Sequence, residues 1–499
     1  MKKGLLLALC VLLGTFNAQA EKKFTMISTN CNSIGTGMSS NGKYVVGVDP
    51  TPVEYGVEIM SGFKSYLWDA DAKTLTWITE ADQVNPGKTG YFTDVTDDKI
   101  ISGYFKDPDY PITVTEWEGD VTLPVNVAAI WKDGNVTSLG IGDFDLSIFN
   151  NFNDGSYATA ISNDGKTVVG FVAVGNFAYS YPCMWKYDDA NRKWNFTRCK
   201  YPSDAKGGQV LAVSDDGGVA VGAIYYQNRD VAAFWKNGEY TIIEGIKNMI
   251  DDDTKYNEDY NKNCAYGVSP NGQYISFNFN DNLPCMYFTN ENRYVKLGAY
   301  KDVTGLDVPA ISNNGDIFGC YKYGNYWTEQ YTRPFWYSLN TLREVGLDYF
   351  IYLYTPEIEI PLSFTFEHKV TSNPHAVSAD GKIIMGNNMT EYNKYETWVL
   401  QTEAEYTIIP EDVQNIKAKV TDLEQITVTW DKVPYAPFQY VLKSYNVYCD
   451  GNLVGNVEAK SDGDGSGDGD GGIEPLKYSA SNTTTESFVH NNVNAGYHK

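Results

Sequence analysis

Short apolar runs alternate along most of the chain with one recurring polar turn, a pattern that predicts pairs of buried strands joined by hairpins. The clearest copy reads Ala160-Ile161-Ser162-Asn163-Asp164-Gly165, then Thr167-Val168-Val169-Gly170, then Cys183-Met184-Trp185. A second clear copy runs Ala212-Val213-Ser214-Asp215-Asp216-Gly217, Val219-Ala220-Val221-Gly222 and Ala233-Phe234-Trp235. Aligned on the turn, seven copies centre on positions 42, 98, 165, 217, 272, 315 and 381, spaced 43 to 67 residues apart. The copy at Asp98 lacks the turn glycine. Such a period suits one four-stranded propeller blade with variable loops.

Each residue type has a physical reason to be there. Asp-Gly and Asn-Gly are expected to supply the positive φ angles of a two-residue hairpin turn, and the preceding Ser to hydrogen-bond the turn backbone. Valine-rich second strands fit burial on both faces, with a closing Gly where a neighbouring backbone approaches. Tryptophan in the third strand is expected to pack between copies. A single copy cannot bury both of its faces, so the set is expected to stack into a ring. The predicted fold class is all-β: a seven-bladed β-propeller over residues 21–409, followed by an incomplete fibronectin type III-like β-sandwich over 410–499. Lys23 to Thr29 is expected to complete the seventh blade as its outer strand, with Tyr406 to Ile409 the competing segment.

From Pro410 the pattern changes to period-two alternation: Ile416 to Val420, Ile426 to Trp430, then Tyr445-Asn446-Val447-Tyr448 before a Cys449-Asp450-Gly451-Asn452 turn. A tryptophan in the second strand followed by Tyr-x-Val-Tyr resembles a fibronectin type III module, with Phe488-Val489 and Gly496-Tyr497 as later strands. The Asp/Gly tract 461–472 interrupts it. Asp462, Asp464, Asp468 and Asp470 have the early ligand spacing of a calcium loop, but the twelfth position is Ile473 and Glu474 follows one place late. A solvated loop is therefore preferred over a calcium site, and no other cofactor is expected.

The Ser-x-(Asp/Asn)-Gly-x-x-Val-Val-Gly segment resembles the extracellular HAF repeat of bacterial surface proteins, over roughly residues 30 to 400. The resemblance implies export and a propeller-like fold, and brings no catalytic residues with it.

Met1-Lys2-Lys3, an apolar run from Leu5 to Leu13, and Ala18-Gln19-Ala20 read as a secretory signal spanning residues 1–20. Export places the protein outside the cell, on its surface or in the periplasm. No later run approaches a membrane span. The formal charge of −24 argues against nucleic acid as a partner. Seven cysteines follow the signal, too scattered for a disulfide framework; a Cys183–Cys199 bridge across one hairpin is the single pairing suggested.

In a blade, the first-to-second and third-to-fourth turns share one face, and these are uniformly tight. The other face carries long, variable, aromatic loops, where binding is expected. Its candidate ligand-binding residues are Tyr104, Tyr110, Trp117, Tyr179, Tyr226, Tyr323, Tyr326, Trp327 and Tyr331, with Phe177 and the segment Tyr349 to Phe366 nearby. Aromatic platforms beside Asp and Asn suit sugar rings or protein surfaces. His368 and His375 are the histidines of the repeat region, too few for a histidine-rich metal site. The function expected is a non-catalytic binding protein for an extracellular glycan or surface protein; the alternative is a glycan hydrolase or lyase using carboxylates near the axis.

Overall fold

The structure, a computed structural model, describes residues 24–27, 33–49, 64–78, 90–116, 119–226, 229–243, 261–279, 283–297, 303–323, 331–339, 343–354, 371–389, 395–402, 417–422, 425–431, 444–449, 452–458 and 485–491. The expected leader is thus outside the described residues, as are Trp117, Tyr326, Trp327 and the Asp462–Asp470 tract.

The chain is nearly all β and propeller-like. After β1 (Phe24–Ile27), strands come in antiparallel sets of four. Unit 1 is β2 (Ile34–Met38), β3 (Tyr44–Asp49), β4 (Lys64–Asp69) and β5 (Thr74–Ile78). Unit 2 is β6 (Gly90–Val95), β7 (Ile101–Glu116), β8 (Gly119–Lys132) and β9 (Asn135–Gly140). Unit 3 is β10 (Gly155–Ile161), β11 (Thr167–Val174), β12 (Tyr179–Asp188) and β13 (Lys193–Arg198). Unit 4 is β14 (Gly207–Val213), β15 (Val219–Tyr225), β16 (Arg229–Lys236) and β17 (Glu239–Ile242), with the short β18 (Asn261–Lys262) beside β16. Unit 5 is β19 (Cys264–Val268), β20 (Tyr274–Phe279), β21 (Leu283–Phe288) and β22 (Arg293–Lys296). Unit 6 is β23 (Val303–Ile311), β24 (Ile317–Tyr323), β25 (Tyr331–Ser338) and β26 (Arg343–Gly346). Unit 7 supplies three strands, β27 (Thr371–Val377), β28 (Ile383–Met389) and β29 (Tyr395–Gln401), and β1 completes it by pairing Phe24 with Leu400 through Ile27 with Thr397. β1 thus takes the outer-strand place expected for Lys23 to Thr29; the competing segment Tyr406 to Ile409 lies outside the described residues.

The core is divided rather than central. One apolar cluster joins units 1 and 2, another units 2 and 3, and so on to a cluster joining units 7 and 1. Each is built from apolar second-strand residues and third-strand aromatics; Trp185, Trp235, Trp336 and Trp398 are fully buried. Cys183 belongs to the cluster shared with unit 2 and Cys199 to the cluster shared with unit 4, on opposite faces of unit 3. Both are free thiols, so the suggested disulfide does not form.

The recurrent turn differs from expectation in its geometry. Ser162 N–H bonds the Thr167 carbonyl and Gly165 N–H bonds the Ser162 carbonyl, giving a four-residue loop in which only the glycine has positive φ, +69°. Two-residue turns with both central residues at positive φ occur instead between third and fourth strands, at Asp133-Gly134 and Asn237-Gly238. The serine hydroxyl donates to Asp164 Oδ1 (2.5 Å) and accepts from Thr167 N–H (2.9 Å), and Ser214 repeats the arrangement. Replacing Ser162 by alanine leaves a buried N–H without a partner and is expected to cost about 1–2 kcal/mol, measurable as a lowered denaturation midpoint.

Neighbouring turns bond one another in sequence. Asn41 N–H bonds Asp97 Oδ1, Asp97 N–H bonds Asn163 Oδ1, and Asp164 N–H bonds the Asp215 carbonyl. Asp215 N–H bonds the Pro270 carbonyl, Asn271 N–H bonds Asn313 Oδ1, Asn313 N–H bonds the Ala379 carbonyl, and Ala379 N–H bonds the Ser40 carbonyl. A second belt lies deeper, at β-bulges in the first strands. Thr36 Oγ1 donates to the Phe92 carbonyl, Thr159 Oγ1 to the Val210 carbonyl, and His375 Nε2 to the Thr36 carbonyl across the unit 7–unit 1 junction. A carbonyl can only accept, so His375 carries its proton on Nε2.

Beyond the units, β30 (Lys417–Asp422), β31 (Gln425–Asp431) and β34 (Thr485–Asn491) form one sheet, while β32 (Ser444–Cys449) and β33 (Asn452–Glu458) form a hairpin. Among the described residues no helix is long and apolar enough to cross a membrane.

Candidate functional site

Strand direction puts the ends of the second strands and the starts of the first strands on the long-loop face. In units 2 and 3 this face gathers an aromatic cluster. Tyr91 stacks on Tyr104 (5.2 Å, 14°), Tyr104 meets Tyr157 edge-on (4.7 Å), and Tyr157 stacks on Phe171 (5.1 Å, 16°). Phe177 leans on Tyr157 at 5.4 Å yet remains 44% exposed, and Tyr179 beside it is 52% exposed. Burial raises the Tyr91 hydroxyl above the ordinary phenol range and pushes those of Tyr104 and Tyr157 well above it, so the cluster is neutral.

The loop presenting Phe177 is strained. Gly175, Asn176 and Phe177 all have positive φ, at +67°, +57° and +66°, a conformation that crowds the Cβ of a phenylalanine. Asp154 holds it there. Its fully buried carboxylate accepts Asn176 N–H on Oδ1 (2.8 Å) and Asn150 and Asn151 N–H on Oδ2 (2.8 and 3.0 Å). One carboxylate thus ties the loop entering unit 3 to the loop between β11 and β12, and the Asn153 amide adds a bond to Asn176 Oδ1. Lys106 Nζ caps the Phe152 carbonyl nearby; burial lowers its pKa to about 8 while Asp154 opposes the shift.

Towards the rim the same face opens into a groove of about 510 Å³ lined by Tyr110, Leu139 to Asp143, Phe196 and Arg198. The long β7–β8 hairpin carries Tyr110 onto the loop after β9, where its side chain and those of Ile112 and Val114 join the unit 2–unit 3 core. Gly140 and Gly142 form the floor at φ +72° and +70°; a Cβ on Gly142 would stand 2.4 Å from the Phe196 ring and one on Gly140 3.1 Å from the Tyr110 hydroxyl. At one end Arg198 lies over the Phe144 ring (3.8 Å) and donates Nε–H to Asp143 Oδ1 (2.8 Å).

Tyr104, Tyr110 and Tyr179 are therefore brought to one face. Tyr226 packs on the unit 3–unit 4 cluster, and Tyr323, opposite Tyr331 in the β24–β25 register, packs on the unit 5–unit 6 cluster, away from that face patch. Tyr349 to Phe366 is not simply a loop. Its start belongs to α1 (Leu347–Tyr354), whose Leu347, Phe350 and Ile351 are buried in the unit 6–unit 7 core. Sequence reading missed Tyr91, Tyr157, Asp143, Phe196 and Arg198, which reach the site through strand register and unit stacking and carry no local signal of it.

On the axis, at the tight-turn face, a cavity of about 130 Å³ is lined by residues of all the units, with Asp94, Asp215 and His375 among them. Burial raises Asp94 to about 7, with Asp215 adding to the shift and the Ile161 and Val95 N–H groups opposing it. Ser40 Oγ donates to Asp215 Oδ2 (2.7 Å). Among the described residues no three His, Cys, Asp or Glu side chains are grouped so as to hold a metal ion.

No family model matches the chain, and no curated protein matches its sequence. A solved structure, TolB from Acinetobacter baumannii, is similar at 11% identity and a TM-score of 0.31, covering 72% of this chain and 81% of that one. A likeness of that size assigns no residue of either site.

Proposed function

We propose that this is an exported bacterial binding protein: a seven-bladed β-propeller of HAF-type repeats with a fibronectin type III-like module after it, recognising a glycan or surface protein through the long-loop face. The belt of turn-to-turn hydrogen bonds supports a closed ring of seven blades. In the following module the first, second and fifth strands share one sheet and the third and fourth another, as in immunoglobulin-like sandwiches.

The observation that carries the binding reading is Phe177. An aromatic side chain held exposed by a strained backbone, itself pinned by a buried carboxylate, is an arrangement that folding alone does not favour. The catalytic alternative needs acids around a substrate-sized cleft. Asp94 and Asp215 do converge, but on about 130 Å³, below the roughly 300 Å³ at which ligand pockets begin.

The test is a panel of bacterial and host glycans and surface proteins, screened with the wild type and with Phe177→Ala/Tyr179→Ala. Both side chains are exposed, so the double variant is expected to keep its melting temperature and lose at least about tenfold in affinity. Binding indifferent to both residues would sink the reading.

A further inference from the structure

We infer that the rim groove of units 2 and 3 is a subsite for one neutral pyranose ring; this rests on the glycan branch of the binding reading and names its chemistry. Three features of the groove converge on that ligand. Tyr110 and Phe196 form its aromatic sides, the kind of surface on which the C–H face of a sugar packs. Its floor is the backbone of Gly140 and Gly142, both in the left-handed region where any other residue is strained; lacking a Cβ, Gly142 lets the Phe196 ring, and Gly140 the Tyr110 hydroxyl, settle against it.

The third feature is the pair at the end. Arg198 is fixed on one face by Phe144 and on one edge by Asp143, which leaves its terminal nitrogens as donors and the second Asp143 oxygen as an acceptor. A donor and an acceptor held side by side match two adjacent hydroxyls, each of which gives one hydrogen bond and takes another. Both side chains remain solvent-accessible, at 46% and 66%, so a ligand can reach them. Charge selects among sugars. Asp143 already neutralises Arg198 and the chain carries −24 overall, so a uronic or sialic acid is disfavoured relative to an uncharged hexose.

Saturation-transfer NMR on the full chain with methyl glycosides of glucose, galactose and mannose tests this, with glucuronic acid and cyclohexanol as controls. Transfer is expected from at least one methyl glycoside and from neither control, and is expected to fall at least fivefold in Asp143→Ala and in Tyr110→Ala while persisting in Phe177→Ala. Absence of transfer from every glycoside, or transfer unchanged in both groove variants, overturns the subsite. Loss in Phe177→Ala alone places sugar binding on the inner cluster, which overturns the groove and leaves the broader reading standing. Circular dichroism melts of each variant separate a lost site from a lost fold.

Discussion

Alanine at Gly170 is expected to lower the unfolding free energy by about 3 kcal/mol, among the larger effects available to a single methyl group. The reason lies in the bulge of the facing strand. Gly170 pairs with Ala158, immediately before the register shift at Thr159, and the shift drives the Tyr157 carbonyl towards β11. A Cβ on Gly170 would sit 1.8 Å from that oxygen. Gly103 and Gly222 stand in the same relation to the Tyr91 and Gln209 carbonyls, at 2.1 and 2.0 Å. The obstacle is backbone, so relief requires undoing the bulge and with it the Thr159 bond to unit 4. Gly305 is the control: its nearest atom is the flexible Lys322 side chain at 3.3 Å, and alanine there should cost under about 1 kcal/mol. Equal denaturation midpoints for Gly170→Ala and Gly305→Ala would refute the account.

The second large effect depends on pH. Asp94 titrates near 7 when folded and near 3.8 when unfolded, so between those values the native state holds a proton that the unfolded state has released. Stability from this group is therefore greatest at acid pH, declines as pH rises, and levels off above about 7 with the full cost of a buried carboxylate. Asp94→Asn keeps an acceptor for the Ile161 N–H and removes the charge. It should raise stability at pH 8 by on the order of 2 kcal/mol, with the gain shrinking towards zero by about pH 4. His375 works in the other direction. Burial lowers its pKa below 6.5, so it contributes stability that is lost as pH falls, and it is common to both proteins. The difference between Asp94→Asn and wild-type melting temperatures across pH isolates the carboxylate; a difference constant with pH would refute the assignment.

What could be read from the residues was what is decided locally. The Ser-x-Asp-Gly turns and the Val-Val-Gly strands declare themselves because a hydroxyl, a carboxylate and a positive φ angle act within one loop. The outer strand of unit 7 was only half legible: Lys23 to Thr29 could be named as an apolar strand running straight into unit 1, but Tyr406 to Ile409 fitted the same edge, and only the pairing of Phe24 to Ile27 with β29 decides for the first. Contacts set by register were not legible. Nothing in Thr36 or Thr159 announces a bond to the next unit, because that bond follows from where the bulge falls. Helix α1 was missed because Leu-Asp-Tyr-Phe-Ile-Tyr has the aromatic and β-branched content of a strand; the i, i+3, i+4 spacing of Leu347, Phe350 and Ile351 was the signal that composition concealed. The aromatic face was half legible. Loop tyrosines could be named, but their partners Tyr91, Tyr157 and Phe171 come from strands of two units and meet only after stacking.

Pairing of β1 with β29 also has a consequence for biogenesis. Phe24 and its partner Leu400 are separated by the strands of all seven units, so β1 must wait, unmatched, while everything between them is made. During that interval β1 presents free backbone donors and acceptors together with Phe24 and Met26, which invites pairing with another copy. A chain shortened before Thr397 leaves that vulnerability permanent, and aggregates rather than a stable smaller ring should result.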